Sequence, residues 1–194
     1  SSFTVYGQSK KFKLNENDSC NPKSFYAVSK FASEKYIQLL CNKYKIQWNI
    51  LRLFNVYGPG QDLKRADQGI VSIYLNYIKN SNILPLKGSL KRFRDLIYID
   101  DVVAGWLLCL ESKTAYNQIF NLGTGKKTYI SKIIALICDL YRKKIKIKKE
   151  EVTPGDILGC YADTKKIKKF LKFEKKYDFK KGLKLFKEWA NKEH

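Results

Sequence analysis

Methionine is missing from all 194 residues, position 1 included. The chain does not start as a translated protein does, so we expect a trimmed chain or part of something longer. Histidine is nearly missing, the only one being His194, the last residue. That argues against a Ser-His-Asp triad and against a histidine-built metal site. The cysteines (Cys20, Cys41, Cys109, Cys138 and Cys160) are odd in number and form no CxxC pair. This fits neither a disulfide framework nor a zinc site, and agrees with free thiols in a reducing, cytoplasmic compartment. The longest apolar run, Val102 to Leu110, is about half of the roughly 20 residues a membrane helix needs. The opening Ser1-Ser2-Phe3-Thr4-Val5-Tyr6-Gly7 lacks the basic and then apolar order of a signal peptide. Acids are scarce as well: 18 Asp and Glu face 38 Lys and Arg, a net charge of +20.

What is present is material for a core. Hydrophobic residues make up 44% and aromatics 14%, too much for a disordered polycation. The length suits one large domain or two small ones. Apolar residues recur at three and four spacings from Ser24 to Asn42, which predicts a helix. Gln47 to Phe54 reads as a strand ended by Gly58-Pro59-Gly60. A helix from about Gly69 to Lys79, a strand at Ile83–Leu86 and a strand from Arg94 to Ile99 follow. Asp100 is placed to cap a helix running through Leu110. Ile119 to Leu122 is a strand entering Gly123-Thr124-Gly125, and helices are predicted at Ser131–Tyr141, Thr164–Phe170 and Phe179–Lys192. Strands alternating with helices predict an α/β or α+β domain.

One segment speaks of chemistry. Tyr26 and Lys30 stand four residues apart, on one helix face. A free tyrosine, with a pKa of about 10, is a poor base at neutral pH. A nearby cation favours the phenolate and makes the tyrosine able to accept a hydroxyl proton. Ser2, just ahead of Val5-Tyr6-Gly7, could hold the substrate oxygen beside Tyr26. By itself a Tyr and a Lys four apart occur by chance in many helices.

The surroundings add weight. Ser1-Ser2-x-x-Val5-Tyr6-Gly7, Asn21-Pro22-x-Ser24-x-Tyr26-x-x-Ser29-Lys30 and Leu51-Arg52-Leu53-Phe54-Asn55-Val56-Tyr57-Gly58-Pro59 occur in that order. Arg94-Asp95-x-x-Tyr98-Ile99-Asp100-Asp101, Phe120-Asn121-Leu122-Gly123-Thr124-Gly125 and Thr153-Pro154-Gly155-Asp156 with Ala162-Asp163 follow. The series resembles the extended short-chain dehydrogenase/reductase family, in its branch of UDP-glucose 4-epimerase-like nucleotide-sugar epimerases and dehydratases.

The resemblance implies the C-terminal portion of a Rossmann-type doubly wound sheet plus a smaller mixed α/β substrate-binding domain. Residues 1–58 would be the remainder of the NAD-binding part and 59–194 the nucleotide-sugar part, with some of 95–125 returning to the Rossmann core. Tyr26 would be the base, Lys30 its pKa-lowering partner and a ribose contact, and Ser2 the hydroxyl on the sugar oxygen. Leu53 would lie with Tyr26 and Lys30 against NAD. Asn55, Leu86 on the strand beside the nucleobase, and Arg94 on the diphosphate would meet the nucleotide sugar. Full-length members often pair as homodimers.

The family's Gly-x-x-Gly-x-x-Gly turn, which holds a dinucleotide pyrophosphate at a helix N-terminus, has no match here. The chain is therefore expected neither to bind NAD tightly by itself nor to turn over, and micromolar NAD affinity of the 194 residues alone would overturn that. Many dehydratases of the branch carry Asp-Glu after the catalytic hydroxyl residue. Phe3 and Thr4 stand there, which favours an epimerase. Thr153 replaces an arginine often used as a second phosphate clamp. Cys160 falls where 4-epimerases carry a residue beside the sugar's 2-substituent; a small residue there goes with N-acetylated sugars, although a small buried thiol is the plainer reading. Asp100 and Asp163 read as helix caps rather than acids.

A competing reading is a basic nucleic-acid-binding protein, given the lysines crowding Arg142 to Lys192. Their spacing leaves Ile167, Leu171, Leu183, Leu185, Phe186 and Trp189 for a core, as amphipathic helices with solvated faces do. The expected partner is a nucleotide-diphosphate sugar, with neither nucleic acid nor membrane. A catalytically silent homologue is a third reading, against which Ser2, Tyr26 and Lys30 occurring together weigh.

Overall fold

A computed structural model describes residues 1–65, 69–151 and 158–192. Ser2 lies in extended backbone and forms a parallel bridge with Leu53, followed by a 3-10 turn, Phe3–Tyr6. Strand β1 (Lys13–Leu14) precedes helix α1 (Phe25–Lys43), whose first turn is capped by Ser24, its hydroxyl accepting from the Ala27 N–H. The chain then enters β2 (Asn49–Leu53) and, after Phe54 alone, β3 (Asn55–Tyr57).

That single residue matters. β2 pairs in parallel with β7 (Gln118–Leu122), whereas β3 pairs in parallel with β6 (Leu96–Tyr98). The nearly continuous β2–β3 ribbon changes partner at Phe54, and the carboxyl end of a strand at such a change is where open α/β sheets bind ligands. Ser2 lies at that same end through its bridge to Leu53.

Helix α2 (Ile70–Asn80), strand β4 (Ile83–Lys87), helix α4 (Ile130–Tyr141), strand β9 (Lys146–Glu150) and helix α6 (Phe179–Lys192) build a second body. β4 and β9 run parallel, and Leu75, Ile78, Leu84, Leu86, Ile133, Ile137, Leu183 and Phe186 fill the core between them. β5 (Phe93–Arg94) pairs antiparallel with β8 (Thr128–Tyr129), and β1 pairs parallel with β10 (Tyr161–Ala162). Helix α3 (Ile99–Glu111) and helix α5 (Lys165–Leu171) pack on the β2–β7 side, with Val102, Cys109, Ile167 and Leu171 in the core beneath.

The predicted α/β class with parallel pairing is what forms. Three details differ. The strand expected over Arg94–Ile99 is broken at Asp95 into β5 and β6. Asp100 is not the N-cap of α3; the helix starts at Ile99, and Asp100 and Asp101 sit in its first turn, where carboxylates favour the positive end of the helix. Asp163 does accept a hydrogen bond near a helix start, from the Lys165 N–H at 3.1 Å. Finally β9, a Lys-Ile-Lys-Lys-Glu strand, was hidden because only Ile147 of its five residues is apolar.

The lysines of the C-terminal third lie outside the core that Ile167, Leu171, Leu183 and Phe186 form. No described helix is long and apolar enough to cross a membrane.

Candidate functional site

Tyr26 and Lys30 lie on consecutive turns of α1, and the Lys30 ammonium sits 5.5 Å from the centre of the Tyr26 ring. Tyr26 is about half exposed (54%) and Lys30 is half-buried. The phenol is thus accessible to a ligand, with a cation held against it.

Ser2 is buried, and its Oγ accepts from the Thr4 N–H at 3.3 Å and from the Thr4 hydroxyl at 3.1 Å. Both contacts use its lone pairs, which leaves the Ser2 proton to donate outward. Phe3 stacks on Phe54 with ring centres 5.2 Å apart. The two residues after Ser2 therefore serve structure and carry no acid. Ser1 and Lys30 both line a cavity of about 270 Å³ that also touches Glu34 and Leu51; neither Ser2 nor Tyr26 lines it.

Gly7 sets how closely they approach. It has φ +65°, and a Cβ there would lie 1.8 Å from the carbonyl oxygen of Asn21. Only glycine lets the chain leading into α1 lie against the end of the 3-10 turn.

Leu53 is half-buried and holds Ser2 through the bridge. Asn55 donates from its side chain to the Asp95 carbonyl at 3.1 Å, and its backbone N–H goes to the same oxygen. Arg94 is half-buried, donates to the Phe93 carbonyl at 2.8 Å and lines a cavity of about 390 Å³.

That cavity carries residues which sequence reasoning missed. Lys87 and Arg92 join Arg94 on it, facing Ile70, Ile73, Tyr74, Tyr77 and Pro85. Glu150 lines it too, and three cations against one acid, among aromatic and aliphatic side chains, suit a phosphorylated nucleoside. Lysine and arginine at 87 and 92, flanking Arg94, and the i, i+3 pair of tyrosines were the available signals. Leu86, in contrast, turns its side chain into the core and is 1% exposed. Strand alternation sends Pro85 and Lys87 to the cavity and leaves Leu86 only its backbone there.

Cys160 is buried, and burial pushes its thiol up to about 12, so it is a neutral small group at physiological pH. It lines a separate cavity of about 220 Å³ with Gly7, Lys11, Phe12 and Leu158. Thr153 and Asp156 lie outside the described residues.

Two buried polar knots were also missed. Asp95 accepts from Thr124 N–H (2.8 Å), Thr124 hydroxyl (2.6 Å), Gly125 N–H (2.9 Å) and Ala162 N–H (3.0 Å). Arg52 forks onto Glu34, Nε to Oε1 at 2.9 Å and Nη2 to Oε2 at 2.8 Å. Burial pushes the Glu34 carboxyl up, but the hydrogen bonds and charge of Arg52 outweigh it and hold the carboxyl below its usual range. Their signals were Asp95 and Arg52 inside quoted motifs and a Glu four residues after Lys30.

Parallel α/β pairing with a change of strand partner, Tyr26 and Lys30 on one helix face, and a separate cavity bearing Lys87, Arg92 and Arg94 fit the nucleotide-sugar branch of the extended short-chain dehydrogenases. Residues 1–186 match the family model described as GDP-mannose 4,6 dehydratase, and the chain belongs to that family. A Methanocaldococcus jannaschii protein provisionally named a UDP-glucose 4-epimerase is 32% identical over 95% of this chain and 59% of its own length. Among solved structures, a UDP-N-acetylglucosamine 4-epimerase from Methanobrevibacter ruminantium, in complex with UDP-N-acetylmuramic acid, superposes with a TM-score of 0.94 at 28% identity, covering 100% of this chain and 62% of that one. A Thermus thermophilus UDP-glucose 4-epimerase complexed with NAD gives 0.85 at 27%, covering 98% and 62%. The chain thus spans about three-fifths of the length of these relatives.

Proposed function

We propose that this chain is the substrate-binding and proton-transferring part of an NAD-dependent nucleotide-sugar 4-epimerase acting on a UDP-hexose or UDP-N-acetylhexosamine. The observation that carries the reading is the Lys30 ammonium against the half-exposed Tyr26 phenol on one face of α1. The intact enzyme meant here is this chain joined to a glycine-rich nucleotide-binding half.

The residues fit the cofactor in part. Tyr26, Lys30 and Leu53 would meet the nicotinamide end, and no Gly-x-x-Gly-x-x-Gly turn in this sequence would cradle the pyrophosphate. When bound, NAD supplies a reversible hydride acceptor. Ser2 donates its free proton to the sugar O4, and Tyr26 takes the O4 proton as the alcohol becomes a ketone. Lys30, with its ammonium 5.5 Å from the Tyr26 ring centre, is the cation placed beside that proton transfer. After the 4-keto sugar turns its other face, Tyr26 returns the proton. Lys87, Arg92 and Arg94 hold the diphosphate, and Asn55 the sugar near it.

Epimerisation is favoured over 4,6-dehydration because Phe3 and Thr4 supply no acid to protonate a leaving water. In the intact enzyme, Tyr26→Phe is expected to lower kcat about 10²–10⁴-fold with KM nearly unchanged; a wild-type rate would remove the base from Tyr26. The N-acetylated substrate rests on the small side chain at Cys160, which the family resemblance sets beside the sugar's 2-substituent. Cys160→Tyr is expected to depress turnover of the N-acetylated substrate selectively, and equal losses on both sugars would count against that assignment.

A further inference from the structure

The Arg52–Glu34 pair has both side chains nearly free of solvent, at 3% and 2% exposure. It belongs to no contact assigned above to substrate or cofactor. A bidentate pair this deep is weak evidence for stability, because packed apolar side chains of similar volume do as well or better. What a fork does that an apolar contact does not is fix distance and plane together.

Its placement says what it fixes. Glu34 is one turn beyond Lys30 and two beyond Tyr26, at the i, i+4, i+8 spacing of one helix face. Arg52 immediately precedes Leu53, the residue bridged to Ser2. The fork therefore joins the helix bearing the phenol and ammonium to the strand end bearing the serine. The guanidinium is fixed in turn: it stacks 4.8 Å over the Tyr6 ring and reaches the Glu16 carbonyl at 3.4 Å. Tyr6 donates to the Asn121 side chain at 2.6 Å, and the Asn121 N–H goes to the Glu16 carboxylate at 2.7 Å. The Tyr6 turn, α1, β2, β7 and the loop after β1 are thereby held in one hydrogen-bonded frame.

We propose that Arg52 and Glu34 are positioning residues that set the separation between the Ser2 hydroxyl and the Tyr26 phenol. The proposal rests on the functional reading above. A displacement of about 1 Å at such a site costs on the order of a hundredfold in rate.

In the intact enzyme, Glu34→Leu with Arg52→Met removes both charges without leaving either unpaired. It is expected to keep the thermal midpoint and the KM for the nucleotide sugar while kcat falls about a hundredfold. Arg52→Lys keeps the charge but loses the fork, and is expected to lower kcat by a smaller factor at an unchanged KM. This milder variant decides the matter if the double variant does not fold. Full kcat in a folded variant overturns the proposal. A crystal structure of the folded variant supplies a readout without turnover: the Ser2 Oγ to Tyr26 Oη separation is expected to differ from the parent, and identical separations overturn the positioning role. If the parent enzyme converts no nucleotide sugar, the functional reading fails, and that structure still judges the positioning role.

Discussion

Asp95 has no solvent exposure, yet its two oxygens accept four hydrogen bonds from two segments. Its backbone carbonyl takes both donors of Asn55, and Arg94 stands beside it. One carboxylate therefore orders the Gly123-Thr124-Gly125 turn, the strand after Cys160 and the two residues assigned to the sugar diphosphate. A Cβ at Gly123 would come within 2.7 Å of its Oδ2, so the turn approaches because glycine is there. Asp95→Asn replaces an acceptor by a donor facing donors. The expected loss is about 3 kcal/mol, read as a lower urea midpoint at unchanged slope; an unmoved midpoint would show that the four bonds are dispensable. The motif made Arg94 visible in sequence. The role of Asp95 was not, because its four partners lie between 29 and 67 residues away.

At the scale of elements, β4 separates structure from binding by alternation. Leu84 and Leu86 face the core, and Pro85 and Lys87 face the cation-lined cavity. Leu86→Ala is expected to destabilise by about 2–5 kcal/mol. Lys87→Ala should leave the melting curve in place and weaken UDP binding by the intact enzyme, measured by calorimetry. The reverse pattern would mean that the register is off by one. The helices were legible at their true bounds to within a residue or two, because each carries a stripe of period 3.6. The two-residue strands β1, β8 and β10 carry no period at all, and β9 hides its pairing with β4 among lysines. Such strands exist only through partners distant in sequence.

For the whole molecule, the bare surface is as telling as the core. Of α1, only Ala27 and Glu34 are fully buried, while Val28, Tyr36, Ile37, Leu39 and Leu40 remain exposed. On α3, Val103, Trp106, Leu107 and Leu110 are exposed as well, and Ile37, Trp106 and Leu110 line the cavity shared with Lys30. Apolar area of this extent makes a chain sticky. The 194 residues alone are expected to bind a hydrophobic dye and to self-associate in sedimentation. Trp106→Lys with Leu110→Lys should raise the monomer fraction, and an already monomeric, dye-silent parent would contradict the account. The net charge of +20 opposes that association without abolishing it. Surface pairs such as Lys11–Asp18 and Lys184–Glu188 add under about 1 kcal/mol each.

The sequence by itself determined the α/β class and the helices, since periodicity is local in the chain. It also determined the large positive charge, which turned out to describe solvated faces. Tertiary structure alone decided the rest: the change of strand partner at Phe54, the turning of Leu86 into the core, the meeting of Lys87 and Arg92 with Arg94 on one cavity, and the Arg52–Glu34 fork. Each depends on groups far apart in sequence meeting in a medium of low dielectric, where pairing and desolvation rather than local preference set which contacts form.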